Sequence, residues 1–151
     1  MFFSPIGIAH SSLLTPDAPP FQGVFSQAEG TIEIYPEYRE GLESVTGFSH
    51  LIILSHFDRA DRGALVELPL LDGNSPHGIF ATRHYNRPNP IGISYVELIS
   101  VDQGILSVRG IDLLDNTPVL DIKPYIPAFD SIPGAVPGWV THQHIELIRE
   151  T

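Results

Sequence analysis

An all-β fold, a small barrel with one to three short helices, is what this chain of 151 residues implies. Fourteen prolines and thirteen glycines cut it into short segments, which suit strands and turns better than long helices. Several of those segments alternate apolar and polar residues with a period of two, as strands with one solvated face do. Turn signals separate them regularly, the pattern of a sandwich or barrel. The length is that of one domain with a real core, so a single domain over residues 1–151 is expected.

In chain order, Phe2 to Ser12 reads as a first strand interrupted by Pro5 and Gly7, and Thr15 to Gln22 as a loop. Gly30 to Tyr35 alternates as a half-exposed strand. Pro36 to Val45 reads as a short helix, since proline suits a first turn and Tyr38, Leu42 and Val45 recur at helical spacing. Phe48 to Phe57 contains Leu51-Ile52-Ile53-Leu54, a run typical of a strand buried on both faces or lying in a barrel. Asp58 to Pro76 is irregular, Gly78 to Thr82 short and apolar, and Arg83 to Pro90 a loop. Ile91 to Val101 and Ile105 to Arg109 form a hairpin about Asp102-Gln103-Gly104, where Gly104 is free to take positive φ. Pro118 to Lys123 is a further strand, Tyr125 to Gly138 a proline-rich surface loop, and Trp139 to Ile148 a final strand.

Composition narrows the function classes. A net charge of −10 argues against a generic nucleic-acid binder. Four of the eight Lys and Arg, namely Arg59, Arg62, Arg83 and Arg87, nevertheless fall in two neighbouring segments, so a basic patch on an acidic body is compatible with the charge. The absence of cysteine rules out disulfides, thiolate metal sites and a cysteine nucleophile, and fits a cytoplasmic protein. No apolar run approaches the roughly 20 residues that span a bilayer, and Met1 to Ser12 lacks a basic start. A dinucleotide-binding Gly-x-Gly-x-x-Gly, a phosphate-binding glycine loop and a Gly-x-Ser-x-Gly elbow are all missing. On a strand, His50, His56 and Asp58 share a face, as do His142 and His144. His50 and His56 would lie about 20 Å apart at roughly 3.3 Å per residue, so hydrogen-bonded neutral histidines are expected rather than a metal site.

Two segments carry chemistry. Thr82-Arg83-His84-Tyr85-Asn86-Arg87-Pro88-Asn89-Pro90-Ile91-Gly92 sets two guanidiniums around a loop stiffened by two prolines, an arrangement suited to an anionic or carboxylate-bearing ligand. Asp112-Leu113-Leu114-Asp115-Asn116-Thr117-Pro118-Val119-Leu120-Asp121-Ile122-Lys123-Pro124-Tyr125 contains a turn at Asp115 to Pro118, with three carboxylates and one lysine around Val119-Leu120. A ligand site and a plain turn with a surface Asp121–Lys123 ion pair fit this second segment equally.

These segments, with Pro5-Ile6-Gly7, Gly41-Leu42, Phe48-Ser49-His50-Leu51 and Gly78-Ile79-Phe80-Ala81-Thr82-Arg83, resemble the TrmO (YaeB-like, TsaA-like) family over nearly the whole chain. The resemblance implies a β-barrel that uses S-adenosylmethionine to methylate N6 of threonylcarbamoyladenosine beside the tRNA anticodon. The cofactor contacts it implies are Pro20, Phe21, Gln22, Asp58, Arg59, Arg83, Ile93, Leu113, Leu114, Asp115 and Asn116. Phe21 stands where the family has arginine, Asp58 where it has histidine and Asn116 where it has glycine. Asparagine is the residue best able to replace glycine at positive φ.

On the acceptor side the expected groups are Asp121 as a base with Lys123 and Tyr125, and Arg62, Arg87 and Asn89 as substrate contacts. Methyl transfer needs alignment of donor and acceptor rather than a covalent nucleophile. The resemblance further implies a homodimer; in the chain itself, Phe129, Ile132, Trp139 and Val140, in or beside the late proline-rich loop, would form its apolar rim, and paired copies of Arg59, Arg62, Arg83 and Arg87 a strip for tRNA. An enzyme of the same fold acting on a small molecule or another RNA, a non-catalytic S-adenosylmethionine sensor, and a histidine metalloenzyme are the rivals.

Overall fold

A computed structural model describes residues 1–13, 27–67 and 75–150, with side chains through residue 146. Among the described residues there are eight strands: β1 (Gly7–His10), β2 (Glu29–Ile34), β3 (His50–His56), β4 (Val66–Glu67), β5 (His77–Gly78), β6 (Ile91–Asp102), β7 (Ile105–Arg109) and β8 (Thr117–Pro124). Six of them close into an antiparallel barrel in the order β1-β2-β7-β6-β3-β8, so the expected all-β barrel is what forms. Closure pairs every barrel strand on both sides over part of its length, which limits the free edges that invite association.

Contacts divide the chain into two units: Met1–Asp58 with Ile91–Tyr125, and Arg59–Pro90 with Ile126–Thr151. The first is the barrel. Its interior is the alternating apolar face of each strand: Ala9, Ile32, Ile34, Leu51, Ile53, Val96, Leu106, Val108 and Val119 are buried. Ile111 and Leu113, from the connection between β7 and β8, complete this core. The expected hairpin is present, with Gln103 and Gly104 both at positive φ (49° and 80°), as a two-residue primed turn requires. Arg109 on β7 lies between its cross-strand neighbours Glu29 and Glu97, at 3.1 and 3.0 Å. Hydrogen bonding to Glu29, then to Glu97, holds its guanidinium above the ordinary value.

Pro36–Leu42 and Val45–Gly47 are 3₁₀ segments; Tyr35 makes no side-chain capping bond to the first, and such geometry is usual for short helical pieces. β8 carries a bulge. Ser55 pairs with Val119 but Leu54 pairs with Asp121, leaving Leu120 as an extra residue. The first strand covers only Gly7–His10 of the expected Phe2 to Ser12. The expected loop at Thr15 to Gln22 lies outside the described residues.

The second unit contains the β4–β5 ladder, a 3₁₀ turn at Ile79–Ala81, and two helices, α1 (Pro127–Asp130) and α2 (His142–Glu150). The last corrects the expected final strand. Thr141 and His144 bond reciprocally, with Thr141 N–H on His144 Nδ1 at 3.0 Å and His144 N–H on Thr141 Oγ1 at 3.4 Å. This resembles a capping box with histidine in the Glu/Gln position; it starts a helix where alternation alone reads as a strand. Trp139 stacks on His77 with ring centroids 4.4 Å apart and donates Nε1–H to Ala81 O at 2.7 Å. No described helix is long and apolar enough to cross a membrane.

Gly92 marks a tightly packed point on the barrel wall. A Cβ there would meet the Phe57 ring and come within 2.6 Å of Ser55 Oγ, which is itself buried with no hydrogen-bond partner among the described residues. Gly92→Ala should therefore cost about 1–3 kcal/mol through overpacking, seen as a thermal midpoint lowered by several degrees. An unchanged midpoint would mean that this wall gives way easily.

Candidate functional site

The barrel brings one group of sequence-predicted residues together at the end where β3 stops and β8 starts. The connection Gly110–Asn116 closes that end. Its backbone is tied at both flanks: Gly110 N–H and Ile111 N–H reach Ala28 O at 2.8 and 3.3 Å, and Asn116 N–H reaches Ala9 O at 2.8 Å. Ser94 Oγ, buried on β6, donates to Asp112 Oδ1. Ser11 holds the turn twice, with Oγ–H on Leu113 O at 2.6 Å and N–H on Asp115 Oδ1 at 3.0 Å. Asp115 N–H returns to Leu13 O at 2.7 Å. Thr117 Oγ1 donates to Leu114 O at 2.7 Å. Asn116 sits at φ 65°, the left-handed conformation its side chain tolerates.

These bonds decide which atoms of the turn remain available. The carbonyls of Leu113 and Leu114 and the N–H groups of Asp115 and Asn116 are engaged. The N–H groups of Leu113 and Leu114 bond to none of the described residues. Asp115 also faces His10, whose Nδ1 lies 3.7 Å away and whose Nε2 lies 3.1 Å from Glu33 Oε2. Asp58 follows β3 at the same end, its N–H on His56 O at 2.9 Å.

Register places Ile93, Asp121, Lys123 and Tyr125 on one side of the sheet. Leu54 pairs with both Ile93 and Asp121, and Ile52 with both Tyr95 and Lys123. Cross-strand partners share a face, and the face of Ile52 and Leu54 is opposite the buried Leu51, Ile53 and Ser55. Ile93 and Asp121 are two strands apart, about 10 Å at the usual strand spacing. Asp121 and Lys123 form an ion pair at 2.9 Å, and Tyr125 packs edge-on to Tyr95 at 5.8 Å.

The remaining expected residues belong to the second unit. Arg87 Nη1 donates to Thr82 O and His84 O at 3.0 and 3.1 Å, and Arg62 Nε to Pro88 O at 3.1 Å. Asn86 Oδ1 accepts from Asp61 N–H at 2.8 Å. Arg87 and Arg62 thus brace the Thr82 to Pro90 loop, while Arg59, Arg83 and Asn89 are exposed side chains on it or beside it. Pro20, Phe21 and Gln22 lie outside the described residues. Of the expected rim, Phe129 and Ile132 are exposed, whereas Trp139 and Val140 are half-buried. Among the described residues no three His, Asp or Glu side chains gather as metal ligands. Ser11 and Ser94 were not singled out from the sequence, because their partners lie 102 and 18 residues away, and no local signal announces such contacts.

Residues 8–131 match the family model described as the tRNA-methyltransferase O N-terminal domain. A probable S-adenosyl-L-methionine-binding protein of Pyrococcus abyssi is 47% identical over 140 residues, covering 91% of this chain and 75% of its own length. The tRNA (adenine(37)-N6)-methyltransferase of Escherichia coli is 41% identical over 143 residues, covering 88% of this chain. A crystal structure of TrmO from Pseudomonas aeruginosa superposes with a TM-score of 0.78 at 38% identity, over 93% of this chain. The chain spans 61% of the Escherichia coli protein and 63% of the Pseudomonas aeruginosa chain. With the closed barrel and the motif order agreeing throughout, the chain belongs to the TrmO N-terminal domain family.

Proposed function

We propose that the protein binds S-adenosylmethionine at the Leu113–Asn116 end of the barrel and transfers its methyl group to N6 of threonylcarbamoyladenosine beside the tRNA anticodon, working as a cytoplasmic homodimer. The observation that carries this reading is the clamped turn. Its bonds leave two adjacent N–H donors, of Leu113 and Leu114, for ring nitrogens of an adenine. Relatives named for S-adenosylmethionine binding and for tRNA adenine methylation support it at 47% and 41% identity.

The group, when bound, supplies a methyl on a positive sulfonium that departs as a neutral thioether. The chain's residues have the other tasks. The acidic body favours a positive donor. Ile93 and Leu54 offer an apolar face beside it, and the Arg83 guanidinium pairs with a carboxylate in two parallel bonds. Asp121 receives the proton that N6 loses, and Lys123, 2.9 Å away, orients that carboxylate. Tyr125 borders the same face. Arg59, Arg62, Arg87 and Asn89 meet the phosphates and the acceptor.

The deciding assay incubates the protein with labelled S-adenosylmethionine and tRNA that carries or lacks threonylcarbamoyladenosine. Label should enter only the modified nucleoside. Donor binding with no tRNA labelling would move the acceptor to a small molecule, or the protein to a sensor.

Arg83→Ala should weaken donor binding by about 2–5 kcal/mol, the cost of removing one side of a charged pair. A change in Kd below about threefold would remove Arg83 from the cofactor site. Ser11→Ala should raise the donor Kd roughly five- to tenfold, as a net hydrogen bond of about 1 kcal/mol is lost from the turn, whereas Ser11→Thr should restore most of it. Equal Kd values for all three proteins would show that the clamp does not shape the donor site.

A further inference from the structure

The opposite end of the barrel, where β8 runs past Val119 through Asp121 to Pro124, carries an inference that rests on and deepens the homodimer reading above. From Val119 to Pro124, β8 is paired on one edge with β3. On its other edge β1 reaches only to Val119, through Gly7 and the Ile6 N–H bonded to Val119 O at 2.8 Å. Among the described residues no strand continues beside Asp121–Pro124 on that edge. A cleft of about 330 Å³ opens there between β8 and the two 3₁₀ segments. Ile6, Ile34, Leu42, Val45 and Ile122 line it, together with Glu43 and Asp121. Tyr38 and Phe48 stand in its wall, 39% and 37% exposed.

The chain carries a matching piece. Met1 and Phe2 are fully exposed and Phe3 is 73% exposed, so three large apolar side chains in succession are left in water. Pro5 fixes its own φ and holds Ser4 extended. Ile6 is bonded on both sides, to Val119 O through its N–H and to Tyr35 N–H through its carbonyl, at 2.8 and 2.9 Å. Folding the arm back into its own cleft would set that stiff segment against both bonds.

We propose that the cleft receives the Met1–Phe3 arm of a second copy, so that two copies exchange arms about a twofold axis. The arm lies as an added strand along the open edge of β8, the usual way an extended segment completes a sheet, while its phenylalanines fill the apolar cleft. Each buried phenylalanine removes about 150–250 Å² from water. Two rings per arm, exchanged reciprocally against matching walls, reach roughly 1,200–2,000 Å², the size of a stable interface. Pro5 stiffens the arm before it binds, which lowers the ordering cost. Exchange of identical elements between protomers is a low-cost route to a dimer.

The chain has no cysteine, so a Phe3→Cys/Phe48→Cys variant reports the contact directly. Mild oxidation should give a species of twice the chain mass on a non-reducing gel, and neither single variant should cross-link. A single-chain species with an internal disulfide would place the arm in its own cleft and overturn the proposal. So would a double variant that stays unlinked, or single variants that link as well. Sedimentation supplies the second measurement. The wild type should be a dimer at micromolar concentration, and Phe2→Ser/Phe3→Ser should raise its dissociation constant at least tenfold with an unchanged circular dichroism spectrum. A monomeric wild type, or self-association untouched by the double substitution, would refute the exchange.

Discussion

One extra residue in β8 decides which way the charged part of this protein faces. Thr117 and Val119 point into the barrel, and an uninterrupted strand would send Asp121 and Lys123 inward after them. Both charges would then sit among Ile53, Val96 and Leu51, where desolvation costs several kcal/mol per ion. The bulge at Leu120 reverses the alternation. Ile122 turns toward the core in their place, and Asp121 and Lys123 join Ile93 on the outside. The placing of Ile122 against the core and the make-up of the charged outer face both follow from that one insertion.

The closed end and the open end of the barrel answer to different physics. At the closed end, short hydrogen bonds from Ser11, Ser94 and Thr117 hold a turn of irregular backbone in one conformation. A turn ordered in advance meets a ligand without a further entropy cost. At the other end, β1 stops at Gly7 while β8 runs on, and the mismatch in strand length leaves apolar wall uncovered. The strand register separates the ordered turn from the incompletely paired strand along the barrel axis.

Local chemistry made much of this legible from the chain alone. The Asp102-Gln103-Gly104 turn, positive φ at Asn116 and the Asp121–Lys123 pair each depend on residues close in sequence. The Leu51 to Leu54 run was readable as a strand because a barrel wall buries alternate members and half-buries the rest. What escaped depends on distant partners or on competition between periods. The bulge exists only against β3, and the Ser11 clamp only against a turn about a hundred residues later. The segment after Trp139 alternates like a strand, yet the Thr141–His144 cap and the 3.6-residue period prevail. Of the candidate site, the barrel-borne residues and the arginine loop were identified by motif. Their grouping into separate sets depends on strand order, which no local motif encodes.

The chain leaves the barrel at Asp58 and re-enters it at Ile91, and these exits are neighbours, since His56 pairs with Ile91 across β3 and β6. The intervening stretch is therefore an insertion in what would otherwise be a β-hairpin. Lengthening an insertion whose ends are already held together costs little, about 0.6 kcal/mol for each doubling. Its arginines and prolines can change in number and spacing while the barrel keeps its register. Sequence change is thus thermodynamically cheap in the excursion and expensive in the strands.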